Sequence, residues 1–300
     1  MKKSLYLIPT LLLLAACQQA ELERPSSQEP KDPAETPQTW NLTIRATRGD
    51  SQTKALALEE GVSLHSYWKD TEKVQVYKDG VHMGYLDVTP DAGEEPSTAT
   101  LSGGSINGDL AQDDELTLLF PRHQWSYTGQ KGTLTGSGSV EDSFAYAMAT
   151  VTVESVSGTS VTTTPASFTN GQSIYRISFK AGESYIDPVE FTVSTSAGKL
   201  VKSLQWENNA WTPTYDKITV IPSAAASDHF YYMALRNEST IDDTYSFVIT
   251  GADQALYLGS FNLPASALEI PRFISAKNFA IAQPSFAPAF GDTDNASDVY

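Results

Sequence analysis

In "SIYRISFKA", residues 173–181, Tyr175, Ile177 and Phe179 alternate with Arg176, Ser178 and Lys180. Successive side chains of an extended chain point to opposite sides, so this segment carries one apolar and one wetted face. The same period of two recurs in "EKVQVYK" (Val74 and Val76 against Gln75), "DELTLLF" (Leu116, Leu118), "VEFTVST" (Phe191, Val193) and "TYSFVIT" (Tyr245, Phe247, Ile249). Turn chemistry separates the runs at Asp79-Gly80, Asn107-Gly108, Asn170-Gly171, Ala197-Gly198 and Gly251. Only "PSAAASDHF" and "NLPASALEI" offer a short helix or a strand-linking turn.

From Trp40 onward the chain is therefore expected to be all-β and antiparallel. Many short strands with frequent turns predict β-sandwiches, and 300 residues suit two in tandem. The expected domains are an N-terminal sandwich over 40–160, a C-terminal sandwich over 161–287 and a polar tail over 288–300. The expected break between them is the Ser/Thr-rich stretch 155–173. No repeat of fixed period is visible, which argues against a solenoid or propeller.

The start of the chain gives an address. Lys2 and Lys3 precede an apolar run, Leu5 to Leu14, too short to span a bilayer, so residues 1–16 read as a signal peptide. Leu14-Ala15-Ala16-Cys17 resembles a bacterial lipobox, in which the thiol is acylated and becomes the first mature residue. Cys17 is the only cysteine. Once lipidated it leaves no thiol for a disulfide, a nucleophile or a metal, and stability must come from an apolar core. Residues 17–39, rich in Pro, Glu, Gln and Ser, read as a disordered tether. Its start, "QQAELE", resembles the signals that send some Bacteroidetes lipoproteins to the outer face of the cell. Without Lys2 and Lys3, 18 basic residues stand against 36 acidic ones, which disfavours nucleic acid and anionic headgroups as partners.

No catalytic, cofactor-binding or metal-binding residue is expected. His65, His82, His123 and His229 are scattered, and no HExxH occurs. "GSGSV" at 136–140 lacks the spacing of a nucleophile elbow. The adjacent acidic pairs Glu94-Glu95, Asp113-Asp114 and Asp242-Asp243 read as solvated turns, and "GDTDNASD" lacks the Gly and terminal Glu of a calcium loop. Tryptophans such as Trp68, Trp125, Trp206 and Trp211 offer either core packing or platforms for a glycan.

Several segments together resemble the fimbrillin-like lipoproteins of the Bacteroidetes, the subunits of type V pili. They are "TKALALEEGVSLHSYWKDTEKVQVYKDG" (53–80), "DELTLLFP" with "YTGQKGTL" and "FAYAMATVTV" (113–153), "FTNGQSIYRISF", and "YYMALRNE" with "YSFVI". The resemblance spans most of residues 42–282. "FAYAM" departs from the family's acidic-aromatic pair, and the tail after Ala282 is unusual. The resemblance implies two transthyretin-like sandwiches and a precursor held in the outer membrane by its lipid. It also implies a trypsin-like protease that removes the first strand, and other pilus subunits as partners that exchange strands.

On that reading "WNLTIRAT" is the first strand, with Trp40, Leu42 and Ile44 on one face, and "RGDSQTK" is an exposed loop after it. Arg48 is the first candidate for cleavage, Arg45 the second and Lys54 the third. Arg48-Gly49-Asp50 also matches an integrin tripeptide, as any such turn would. "RFISAKNFAIA" (272–282) is the expected donor strand, with Phe273, Ser275, Lys277, Phe279 and Ile281 on one face. The alternative function is a non-polymerising surface lipoprotein that binds a glycan or a host protein.

Overall fold

The computed structural model describes residues 38–48, 57–59, 63–269 and 271–284. Cys17, the tether up to residue 37, Gly49 to Leu56 with Lys54, and the tail from Ser285 lie outside the described residues, while Thr39, expected at the end of the tether, begins the first strand.

The first half is strand-rich: β1 (Thr39–Arg48), β2 (Ala57–Glu59), β3 (Ser63–His65), β4 (Lys73–Lys78), β5 (Val81–Pro90), β6 (Thr98–Ser102), β7 (Ile106–Asn107), β8 (Glu115–Phe120) and β9 (Gln124–Ser126). A one-turn helix α1 (Val140–Ser143) leads into β10 (Ala147–Ser157), β11 (Ser160–Thr163) and β12 (Ala166–Asn170). Asp79-Gly80 makes the tight β4–β5 hairpin, both residues at positive φ, as expected of that pair.

Seven of these strands close on themselves in the order β1-β12-β10-β8-β4-β5-β6 and back to β1. All joints are antiparallel except β1–β12, which is parallel. The expectation of two separate facing sheets is corrected here: this half is one ring. Closure removes free sheet edges, and the inward residues of every strand form one core, from Trp40, Leu42 and Ile44 to Val151 and Phe168.

The second half comprises β13 (Ser173–Ala181), β14 (Ser184–Ile186), β15 (Pro188–Thr195), β16 (Val201–Glu207), β17 (Ala210–Tyr215), β18 (Ile218–Val220), β19 (Tyr231–Leu235), β20 (Asp243–Gly251), β21 (Leu256–Leu263), the short helix α2 (Ala265–Leu268) and β22 (Phe273–Ala280). β13 carries β14 and β19 on one edge and β22, parallel to it, on the other. A second sheet runs β18-β15-β20-β21. The two meet through aromatic rings: Phe179 lies 5.2 Å from Phe191 and 6.1 Å from Phe247.

The stretch 155–173, expected as a break, is filled by the end of β10, by β11 and by β12. Its serines and threonines occupy outward positions while Val161, Ala166 and Phe168 point into the ring. Residues 125–146 instead pack with the second half: Trp125, Tyr127, Phe144 and Tyr146 belong to its core, and β9 pairs with β16. Gln130 ties this excursion down. Its buried side-chain amide donates to the carbonyls of Tyr127 (2.9 Å) and Ala234 (2.8 Å) and accepts from the Ala234 N–H (2.7 Å), standing in for a missing strand partner.

Candidate functional site

β1 holds the ring closed. One edge pairs with β6 and β7, the other with β11 and β12. Trp40, Leu42, Ile44 and Ala46 are buried, and the Trp40 indole donates to the Gly108 carbonyl at 2.6 Å. Their register partners are apolar as well: Ile106 beside Trp40, Val161 beside Leu42, Leu101 beside Ile44, and Ala99 and Ala166 beside Ala46. Removing β1 would leave two rows of unpaired backbone groups flanking an apolar trench.

The two candidate arginines sit on opposite faces of this strand. Arg45 points to solvent with its side chain 51% exposed, paired with Asp91, which also accepts from the Thr98 hydroxyl. Hydrogen bonds from Arg45 and Thr98 pull the Asp91 carboxyl down to about 2. The Arg45 backbone lies in mid-strand, facing Thr100.

Arg48 was expected in an exposed loop, and the structure corrects that. β1 runs one residue beyond "WNLTIRAT", so Arg48 continues the inward series 40, 42, 44, 46 and is only 3% exposed. Its guanidinium donates to the Tyr67 carbonyl at 2.9 Å, to both Glu72 carboxylate oxygens at 3.2 Å and to the Ala145 carbonyl at 3.3 Å. The rings of Phe120 and Trp68 cover it, 4.1 and 5.0 Å from the guanidinium carbon. Burial lowers its pKa, and the charge of Glu72 opposes that shift. Its Nε is buried without a hydrogen-bond partner. Glu72 also accepts the Lys69 N–H at 3.0 Å, while Glu141 accepts the Tyr67 hydroxyl and pairs with Lys69, both at 2.5 Å. The only sequence signal for this site was the strand phase itself, which puts residue 48 inside.

The remaining sequence candidates resolve as follows. Trp68 and Trp125 are wholly buried, Trp206 nearly so, and Trp211 packs partly buried against Trp125 at a tilt and against Trp206 edge to face. Of the two expectations for these tryptophans, core packing is the one that the structure follows. Asp114 holds Lys78 and the Ala111 N–H, Asp242 accepts the Ala265 N–H, and buried Asp243 accepts from Ser196, Ala197 and Asn237. Among the described residues no three of His, Cys, Asp and Glu converge as a metal site. The "GDTDNASD" segment lies outside the described residues.

β22 departs from the expected donor face. Ile177 pairs with Ala276 but Phe179 pairs with Phe279, so Ser178 alone faces Lys277 and Asn278. This bulge shifts the phase. Phe273, Ile274 and Ala276 before it, and Phe279 and Ile281 after it, pack on the core, whereas Ser275 and Lys277 of the expected face are exposed. A cleft of about 620 Å³ also lies between β10–β12 and residues 235–240, with Gln172, Arg236 and Glu238 on its walls.

No protein-family model matches the chain, and no curated protein matches its sequence. Among solved structures it is similar to a candidate cell adhesion protein of Bacteroides ovatus, at 11% identity over 82% of this chain and 96% of that one, TM-score 0.43. It is similar to another from Bacteroides uniformis, at 13% identity over 84% and 98%, TM-score 0.41. A fimbrial assembly protein of Parabacteroides distasonis aligns at 9% identity over 81% and 92%, TM-score 0.40. Scores of this size do not establish a common family.

Proposed function

We propose that the chain is a structural subunit or accessory adhesin of a type V pilus. On this reading it is exported as a lipoprotein, held at the outer face of the outer membrane through Cys17, and assembled when a protease frees β1 and a strand from another copy replaces it. The supporting observation is that the first described strand, β1, closes the ring along both edges and carries alternating apolar anchors. Each backbone hydrogen bond is worth about 1 kcal/mol net and apolar burial about 25 cal/mol per Å², so a replacement strand of eight or so residues makes a durable joint.

The division into two β domains, a closed ring followed by a sandwich, belongs to this proposal, with the boundary moved from residue 160 to 171–172, between β12 and β13. β22 is the strand available to donate. It pairs along one edge with β13, with a single bridge from Ala282 to Leu258, so detaching it disrupts fewer bonds than detaching β1. The cleft beside Arg236 favours the second reading, a non-polymerising surface lipoprotein that binds a glycan or host protein there.

Trypsin-treated full-length protein, incubated and heated in detergent before electrophoresis, tests the choice. The pilus reading predicts heat-resistant ladders that vanish in Arg45→Ala with Arg48→Ala and in a chain lacking 272–300, the latter still being cut. Ladders in the double variant, or none in cut wild type, overturn it.

A further inference from the structure

A trypsin-like protease must seat the arginine it cuts after in its own acidic pocket, with several residues of unpaired, extended chain around the bond. Closed β1 offers neither at Arg48. The Arg48 N–H is bonded to the Ser97 carbonyl at 2.8 Å, and the residue pairs with Phe168 of β12. Its guanidinium is held by three separate parts of the chain: Tyr67 and Glu72 ahead of β4, Phe120 at the end of β8, and Ala145 between α1 and β10.

We infer that Arg48 is a gated processing site, hidden from a protease by the same contacts that lock the end of β1, so that the bond after it is cut only in molecules whose strand end has already opened. The inference rests on the reading that β1 is the strand removed. It adds an order of events: the lock opens, then the chain is cut, then the strand departs. A closed subunit protects itself from premature cutting, and each cut molecule has already lost the contact that retained its strand. Glu72 is the key residue. It is the anionic partner of a buried cation, and removing one member of such a pair leaves the other uncompensated and strongly disfavours the closed state.

When opening is fast relative to cutting, the cleavage rate tracks the open population. The test is the rate of trypsin cleavage after Arg48 in the full chain at limiting protease, read by intact mass. A synthetic peptide spanning residues 43–56 serves as the open reference. Wild type should be cut at least a hundredfold more slowly than the peptide. Glu72→Gln, which keeps Arg48 itself, should be cut at least tenfold faster than wild type, with the rate at exposed Lys217 unchanged. A thermal melt guards against a folding defect: Glu72→Gln should melt lower, and Arg48→Met with Glu72→Gln should return to within a few degrees of wild type. Cleavage of wild type at the peptide's rate, or no acceleration in Glu72→Gln, overturns the gate. If both rates behave as stated but β1 never leaves the cut body, the gate stands and the strand-removal reading fails.

Discussion

The guanidinium of Arg48, with almost no contact with water, survives in the ring because its terminal nitrogens reach Glu72 and two carbonyls and two aromatic rings cover it, leaving its Nε without a partner. Arg45, three residues earlier, is its opposite: exposed, paired with Asp91, and free of the core. The pairing at Asp91 has a consequence for acid stability. Its folded carboxyl titrates at about 2, below the ordinary 3.8, so its contribution is fully present above that ordinary value. It is lost as the pH falls toward about 2. Asp91→Asn should therefore flatten the acid limb of stability between about pH 4 and pH 2. Urea midpoints measured across that range check the sign, and an unchanged limb would show that the pairing contributes nothing.

At the scale of elements, β22 shows how one residue sets a strand's phase. Asn278 sits at φ 57°, donates its N–H to the Ser178 hydroxyl at 2.8 Å and accepts from the Tyr185 hydroxyl at 2.9 Å. A left-handed position suits Asn or Gly and penalises a β-branched side chain. Asn278→Val should thus cost about 1–2 kcal/mol more than Asn278→Gly by urea denaturation. Equal costs would mean that the bulge relaxes freely.

The strands themselves were legible, because alternation and turn pairs are local signals that survived folding nearly unchanged. The bulge was not, since it depends on which residue of β13 lies opposite. Arg48 was misplaced for a different reason: its charge suggested a loop although its position continued the inward series of β1. Gly171 shows the same limit. The Asn-Gly turn was readable, but a Cβ there would come within 2.1 Å of the buried Trp125 ring, a constraint that only tertiary packing creates.

Over the whole molecule, closure of the ring was the least readable feature. It needs β1 to meet β12 in parallel across more than a hundred residues, and no local pattern encodes that joint. The Ser/Thr-rich stretch 155–173 read as a linker because the polar outer positions outnumber its inward Val161, Ala166 and Phe168. Both features converge on β1, the first strand among the described residues yet central in the sheet. Once cut on its C-terminal side it is no longer joined covalently to the rest of the ring, and that makes strand replacement physically feasible.

The most direct test of that claim is exchange in trans. Full-length protein cut between β1 and β2 is mixed with a fluorescent peptide of residues 38–48 and followed by size-exclusion chromatography as the peptide concentration rises. The account predicts that labelled strand enters the folded body one to one, displacing the native strand, with the body's melting temperature preserved. A cut body that stays folded yet never takes up the peptide, even at denaturant levels just below its unfolding transition, would contradict it.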